Sequence, residues 1–87
     1  MTVKKNKINK VLDTLLNKKA IQELSEKGDI PKLTPDGKPG DVRRFSIELA
    51  IYCGHRAERV MKRDLLKMEF KFVTDAVKRF LKKTYMA

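Results

Sequence analysis

The sequence has one cysteine, one histidine and no tryptophan in 87 residues. A lone Cys53 cannot close an intramolecular disulfide, so a disulfide-stapled secreted domain is excluded and a reducing compartment fits. Cys53 and His55 together cannot supply the four ligands of a structural zinc site, and no metal or cofactor is expected. Six aromatic residues, four Phe and two Tyr, offer little from which to build stacking platforms for single strands. The longest apolar run, Leu49-Ala50-Ile51-Tyr52-Cys53, falls far short of the roughly 18 residues that suggest a membrane span. No apolar signal core follows the early lysines of Met1-Thr2-Val3-Lys4-Lys5-Asn6-Lys7. The expectation is a cytoplasmic protein with no membrane partner.

Acids are also scarce. Eleven Asp and Glu face 21 Lys and Arg, for a net charge of +10. Residues 1–20 carry six lysines and only Asp13, and residues 42–87 carry twelve basic side chains against five acids. The stretch between them is slightly acidic. Positive charge therefore gathers toward both ends, which points to polyanionic partners. The length suits one small domain spanning 1–87 and is too short for a Rossmann sheet, a TIM barrel or a two-lobed enzyme. At 41% hydrophobic the chain can fold, but its core is small enough that a homodimer is expected.

Pro and Gly are rare outside one segment. All three prolines and three of the four glycines lie in 28–41, which reads as a connector with a turn at Pro35-Asp36-Gly37. A plain linker is the favoured reading of it. Before it, Ile8, Val11, Leu12, Leu15, Leu16, Ala20, Ile21 and Leu24 recur at helical spacing, so residues 1–27 predict an amphipathic N-terminal helix. Asn6 is placed to cap its start and Gly28 to end it. Lys4, Lys5, Lys7 and Lys10 form either a basic arm or a solvated terminus.

After the connector, Leu65, Leu66, Phe72, Val73, Ala76, Val77, Phe80 and Leu81 predict a helix from about Asp64 to Thr84. Asp64 is its expected N-cap, and Lys78, Arg79, Lys82 and Lys83 suit the negative end of the helix dipole. Val42 to Arg63 allows two readings. Asp41 caps a helix whose inner side holds Val42, Phe45, Leu49, Tyr52, Cys53, Ala57, Val60 and Met61. Alternatively, Phe45, Ile47, Leu49 and Ile51 alternate as in a strand. Length and the Asp41 cap favour the helix, although Gly54 weakens it by about 1 kcal/mol relative to Ala. The fold class expected is mainly α, with two helices in a C-terminal basic unit over 42–87.

Catalysis finds no support. Cys53 and His55 point about 200° apart on a helix and lack a third supporting group. Gly37-Lys38-Pro39-Gly40 lacks the spacing of a phosphate loop, and no carboxylate pair has surroundings that would separate its pKa values. No enzyme is expected. The strongest pattern is instead the recurrence of His55, Arg59, Arg63, Lys67 and Lys71 at every fourth position. On one continuous helix these cations would stack along a ridge and repel one another. A phosphate backbone would justify that arrangement. The expected contacts are Arg56, Arg59, Lys62, Arg63, Lys67 and Lys71, with Arg43 and Arg44 next. Duplex DNA is the favoured ligand of a regulatory or accessory protein; an acidic protein partner and structured RNA are the alternatives.

Arg43-Arg44-Phe45-Ser46-Ile47-Glu48-Leu49, followed by the helix over Phe72–Leu81, loosely resembles the ribbon-helix-helix family of dimeric DNA-binding proteins. That resemblance implies a strand at about 43–49, obligatory pairing of two chains, and Arg44, Ser46 and Glu48 facing base edges. The usual small or glycine-containing turn between the family's helices has no counterpart in Arg63-Asp64-Leu65-Leu66-Lys67-Met68, and Leu49-Ala50-Ile51-Tyr52 lacks a helix-start signal.

Overall fold

A computed structural model describes residues 7–86, of which most lie in four helices. These are α1 (Lys7–Leu15), α2 (Lys18–Lys27), α3 (Val42–Met61) and α4 (Lys67–Tyr85). The protein is mainly α, with no strand among the described residues. The expected Asn6 cap and the Lys4 and Lys5 arm fall outside those residues.

The single N-terminal helix expected from the apolar stripe is two helices. Asn17 breaks it, because its side chain competes with the helical backbone. Its Oδ1 accepts from the Ala20 N–H at 2.9 Å and its Nδ2 donates to the Thr14 carbonyl at 3.0 Å. The break redirects the chain so that Ile8, Leu12 and Leu15 from α1 and Ile21 and Leu24 from α2 enter one core. At the end of α2, Gly28 takes the left-handed conformation with φ 83. Its N–H reaches the Ser25 carbonyl at 3.1 Å and the Asp29 N–H reaches that of Leu24 at 3.0 Å. This pair of bonds is the Schellman closure.

The connector is anchored. The buried Ser25 hydroxyl donates to the Pro31 carbonyl at 3.2 Å and accepts from the Leu33 N–H at 2.8 Å. Thr34-Pro35-Asp36-Gly37 makes the expected turn, with the Gly37 N–H on the Thr34 carbonyl at 2.8 Å. Leu33 pairs with Pro39 in an isolated bridge, and Ile30 is buried in the core. A plain linker would leave that isoleucine wet.

α3 settles the reading of 42–63 in favour of the helix, and the strand at 43–49 is not formed. The Asp41 carboxylate accepts from the Arg44 N–H at 3.1 Å and starts the helix. Phe45, Leu49, Cys53 and Ala57 then fall inward at steps of four, each at most 1% exposed. Ile47 and Ile51, which a strand would have placed beside Phe45 and Leu49, stand 54% and 41% exposed. The ribbon-helix-helix resemblance fails with its strand. Gly54 is buried beneath the Phe70 ring; a Cβ there would lie 3.1 Å from Cε1 of Phe70, so its small size lets that ring sit close to α3.

α3 does not run on into α4. Lys62 sits at φ 56, ψ 36, a left-handed conformation unusual for a residue with a side chain, and there the helix stops. Two acids then organise the turn. Glu58 Oε2 accepts from the Leu65 N–H at 2.9 Å, and Glu69 Oε1 accepts from the Leu66 N–H at 2.8 Å. Glu69 thus does the capping expected of Asp64, and the helix begins at Lys67 rather than near 64. The core behind α4 is Val73, Val77 and Leu81. Phe72, expected inward, is 40% exposed, as are Leu66 at 59% and Val60 on α3 at 47%. Phe80 is half-buried, edge-on to Tyr85 at 6.2 Å between centroids.

Candidate nucleic-acid interface

All eight expected contacts, Arg43, Arg44, Arg56, Arg59, Lys62, Arg63, Lys67 and Lys71, are exposed, but they do not form one ridge. The reversal after Met61 splits the four-residue series. Arg59 stays on α3, Arg63 falls in the turn, and Lys67 and Lys71 move to α4. The structure regroups these cations into two faces.

On the first face, α1 packs against α3 and brings Lys7 and Lys10 to Arg56. The three line a shallow depression of about 240 Å³ whose floor includes Val11 and Val60, and no acid lines it. Lys7 and Lys10 lie off the buried side of α1, which is held by Ile8, Leu12 and Leu15. Arg59 follows Arg56 by three residues on α3 and Lys62 follows at its C-cap; these two border a separate hollow with His55, Arg63 and the acids Glu58 and Asp64. Arg44, twelve residues before Arg56, lies about 18 Å away along α3 and about 120° round it, and so does not share this face. Lys7 and Lys10, which the apolar spacing leaves off the buried stripe to face water or a ligand, line this depression. Only the packing of α1 on α3 could reveal that.

Arg63 is the exception. Its guanidinium grips Glu69 through two parallel bonds, Nη1 to Oε1 at 2.8 Å and Nη2 to Oε2 at 2.9 Å, and also donates to the Asp64 carbonyl at 3.0 Å. The Arg63 bonds and then the Leu66 N–H hold the Glu69 carboxyl down at about 2. Arg63 is therefore a structural clamp on the α3–α4 turn whose charge is already matched. Glu58 serves the same turn while lying 3.2 Å from His55 Nδ1.

On the second face, Arg43 points round toward α4 and shares a groove with Lys78 and Lys82. Lys67, Lys71, Lys78 and Lys82 recur at steps of four, seven and four on α4, which puts them on one side of that helix. The step of seven was legible in the sequence. The cations of the last turns also suit the negative end of the helix dipole, so that spacing alone does not mark a site.

Cys53 is fully buried and its thiol is pushed up to about 12 by loss of solvent, while His55 faces water. The two share no site. No group of three or more His, Cys, Asp or Glu that could hold a metal occurs among the described residues. No helix among them is long and apolar enough to cross a membrane. Fold and surface together define a small helical protein with two basic clusters, one around Lys7, Lys10 and Arg56 and the other around Arg43, Lys78 and Lys82. No family model, curated protein or solved structure matches the chain.

Proposed function

We propose that the chain is a non-enzymatic, cytoplasmic nucleic-acid-binding protein that docks duplex DNA on the face built by α1 and the C-terminal half of α3. The observation that carries this reading is the convergence of Lys7, Lys10 and Arg56, from two helices, on one depression lined by no acid. Like charges held together in this way repel, and a phosphate backbone reverses the sign of that interaction while releasing counterions. Arg59 and Lys62 add two exposed cations beside that depression. Phosphate contacts of this type set position and affinity rather than sequence preference.

The rings favour a duplex over single strands. Of the two on α3, Phe45 is buried and Tyr52 is half-buried against the core, so the face presents no open platform for base stacking. The buried thiol of Cys53, with its raised pKa, supports a role without nucleophilic chemistry.

Fluorescence anisotropy with a labelled duplex of about 30 base pairs, at two salt concentrations, tests the reading. Binding should weaken steeply with salt, and A-form RNA should compete poorly. Replacing Arg56 and Arg59 together by Ala should lower the salt slope by about two. An unchanged slope would show that these side chains are merely solvated.

A further inference from the structure

Between the N-terminal half of α3 and the C-terminal half of α4 lies a groove of about 620 Å³. Ile47, Leu81 and Met86 contribute its floor, Arg43, Lys78 and Lys82 its rim, and none of the residues lining it is acidic. The apolar floor continues along α3. Ile51 stands one turn beyond Ile47 and meets Phe70 in an adjoining hollow of about 200 Å³ that ends at Glu58. Ile47, Ile51, Phe70 and Met86 are 54%, 41%, 40% and 59% exposed. Large apolar side chains aligned like this on a charged surface mark an interaction site more often than accident. Arg43 to Gly54 spans about 16 Å of helix, or three turns.

The groove has two properties, and they select the occupant jointly. Its apolar floor alone would suit a second copy of this chain. A two-fold related copy, however, would gather Arg43, Lys78 and Lys82 twice over, with Glu58 the only lining acid from each. That pairing is opposed by its own charge. A bare phosphate chain would satisfy the cations but leave Ile47, Ile51 and Phe70 wet. An amphipathic helix with acids flanking an aliphatic stripe satisfies both, laying anchors at i, i+3/i+4 and i+7 into the floor.

We propose that the α3–α4 groove docks an acidic amphipathic helix of a partner protein. Two or three aliphatic anchors would cover Ile47, Ile51 and Phe70, and Asp or Glu side chains would meet Arg43, Lys78 and Lys82. Because the cations collect at the Ile47 and Met86 end and Glu58 sits at the other, the partner's acids concentrate toward the former. This sets the direction of docking. A three-turn helix buries less than a standard interface, so affinity in the micromolar range is expected. The proposal uses different residues from the duplex face and does not depend on it.

The test uses the full chain and a labelled peptide of about 14 residues, with Leu at helical spacing and Glu elsewhere. Its controls are a scrambled peptide of the same composition and a version with Lys in place of Glu. The Glu peptide should bind, with amide shifts centred on Ile47, Ile51, Phe70, Lys78 and Met86, and the scrambled peptide should bind at least about tenfold more weakly. Ile47→Asp should cost at least about tenfold. Lys78→Glu with Lys82→Glu should lose the Glu peptide and gain the Lys peptide. All three positions are exposed, so both variants should keep the parent's circular dichroism; should Ile47→Asp not, the charge reversal decides alone. Equal binding of the scrambled peptide, shifts confined to α1 and Arg56, or no binding by a chain whose circular dichroism is that of the folded helical protein would overturn the proposal. So would an unliganded dimer that Ile47→Asp splits, which would assign the groove to a second copy.

Discussion

The two basic faces carry similar charge and differ in what lies between the charges. On the α1–α3 face, Lys7, Lys10 and Arg56 surround a small hollow in which Val60 is the one large apolar side chain left exposed. On the α3–α4 face, Arg43, Lys78 and Lys82 rim a groove whose floor exposes a line of aliphatic and aromatic groups. Charge around a small apolar floor suits a ligand that is anionic throughout, such as a duplex backbone. Charge around a long apolar floor suits a ligand that is anionic only at its edges. Net charge alone could not have separated the two.

The comparison breaks most completely when the helix that carries both faces is undermined. Phe45 lies fully buried where α3 begins, and Phe45→Ala should cost about 3–5 kcal/mol of unfolding free energy. Against a typical total of about 5–15 kcal/mol, duplex and peptide binding should then fall together. Retention of one without the other, measured alongside urea unfolding, would show that the faces do not share this frame.

A selective break is the next largest effect. Arg56→Ala with Arg59→Ala should reduce duplex affinity by about tenfold or more at moderate salt, while the Lys78→Glu and Lys82→Glu pair should leave most of it intact. Equal losses in anisotropy from both pairs would merge the two faces into one electrostatic field.

Glu69 tests the clamp at their border. Glu69→Gln keeps an acceptor for the Leu66 N–H but releases Arg63, and the duplex salt slope should rise by about one. In the parent chain the carboxyl lies well below its ordinary value. The tie to Arg63 is therefore complete above about pH 4.5 and is lost as pH falls through about 2. Carbon-detected NMR of the Glu69 carboxyl should place its midpoint near 2; a midpoint near 4.5 would mean that Arg63 is free.

The smallest effect belongs to Lys62. Its left-handed backbone is easier for glycine, so Lys62→Gly should raise stability by up to about 1 kcal/mol while removing one phosphate contact. A loss of stability in thermal unfolding would show that the Lys62 side chain contributes more to the turn than its backbone costs.

Much of the fold is legible in the residues, and the failures have a common form. The Asp41 cap, the Gly28 stop and the Pro35-Asp36-Gly37 turn act through bonds to near neighbours in the chain, so local chemistry suffices to find them. Asn17 acts just as locally, yet an unbroken apolar stripe concealed it, because the same periodicity serves one helix or two that turn into a common core. The end of α3 was hidden more deeply. It depends on Glu58 reaching Leu65 and on Glu69 reaching both Leu66 and Arg63, and four-residue spacing continues undisturbed across the break.

The candidate sites divide in the same way. Composition and pattern by themselves determined a helical protein, its strongly cationic surface, the exclusion of a disulfide framework, and Arg56 and Arg59 as exposed charges. Those properties are set by side-chain identity and by periodicity along one element. Tertiary structure alone decided that Lys7 and Lys10 join Arg56, that Arg63 is consumed by Glu69, and that Arg43 belongs with Lys78 and Lys82. Each of those outcomes depends on the through-space distance between charges on different segments, which is set by how apolar faces pack and by where a helix ends.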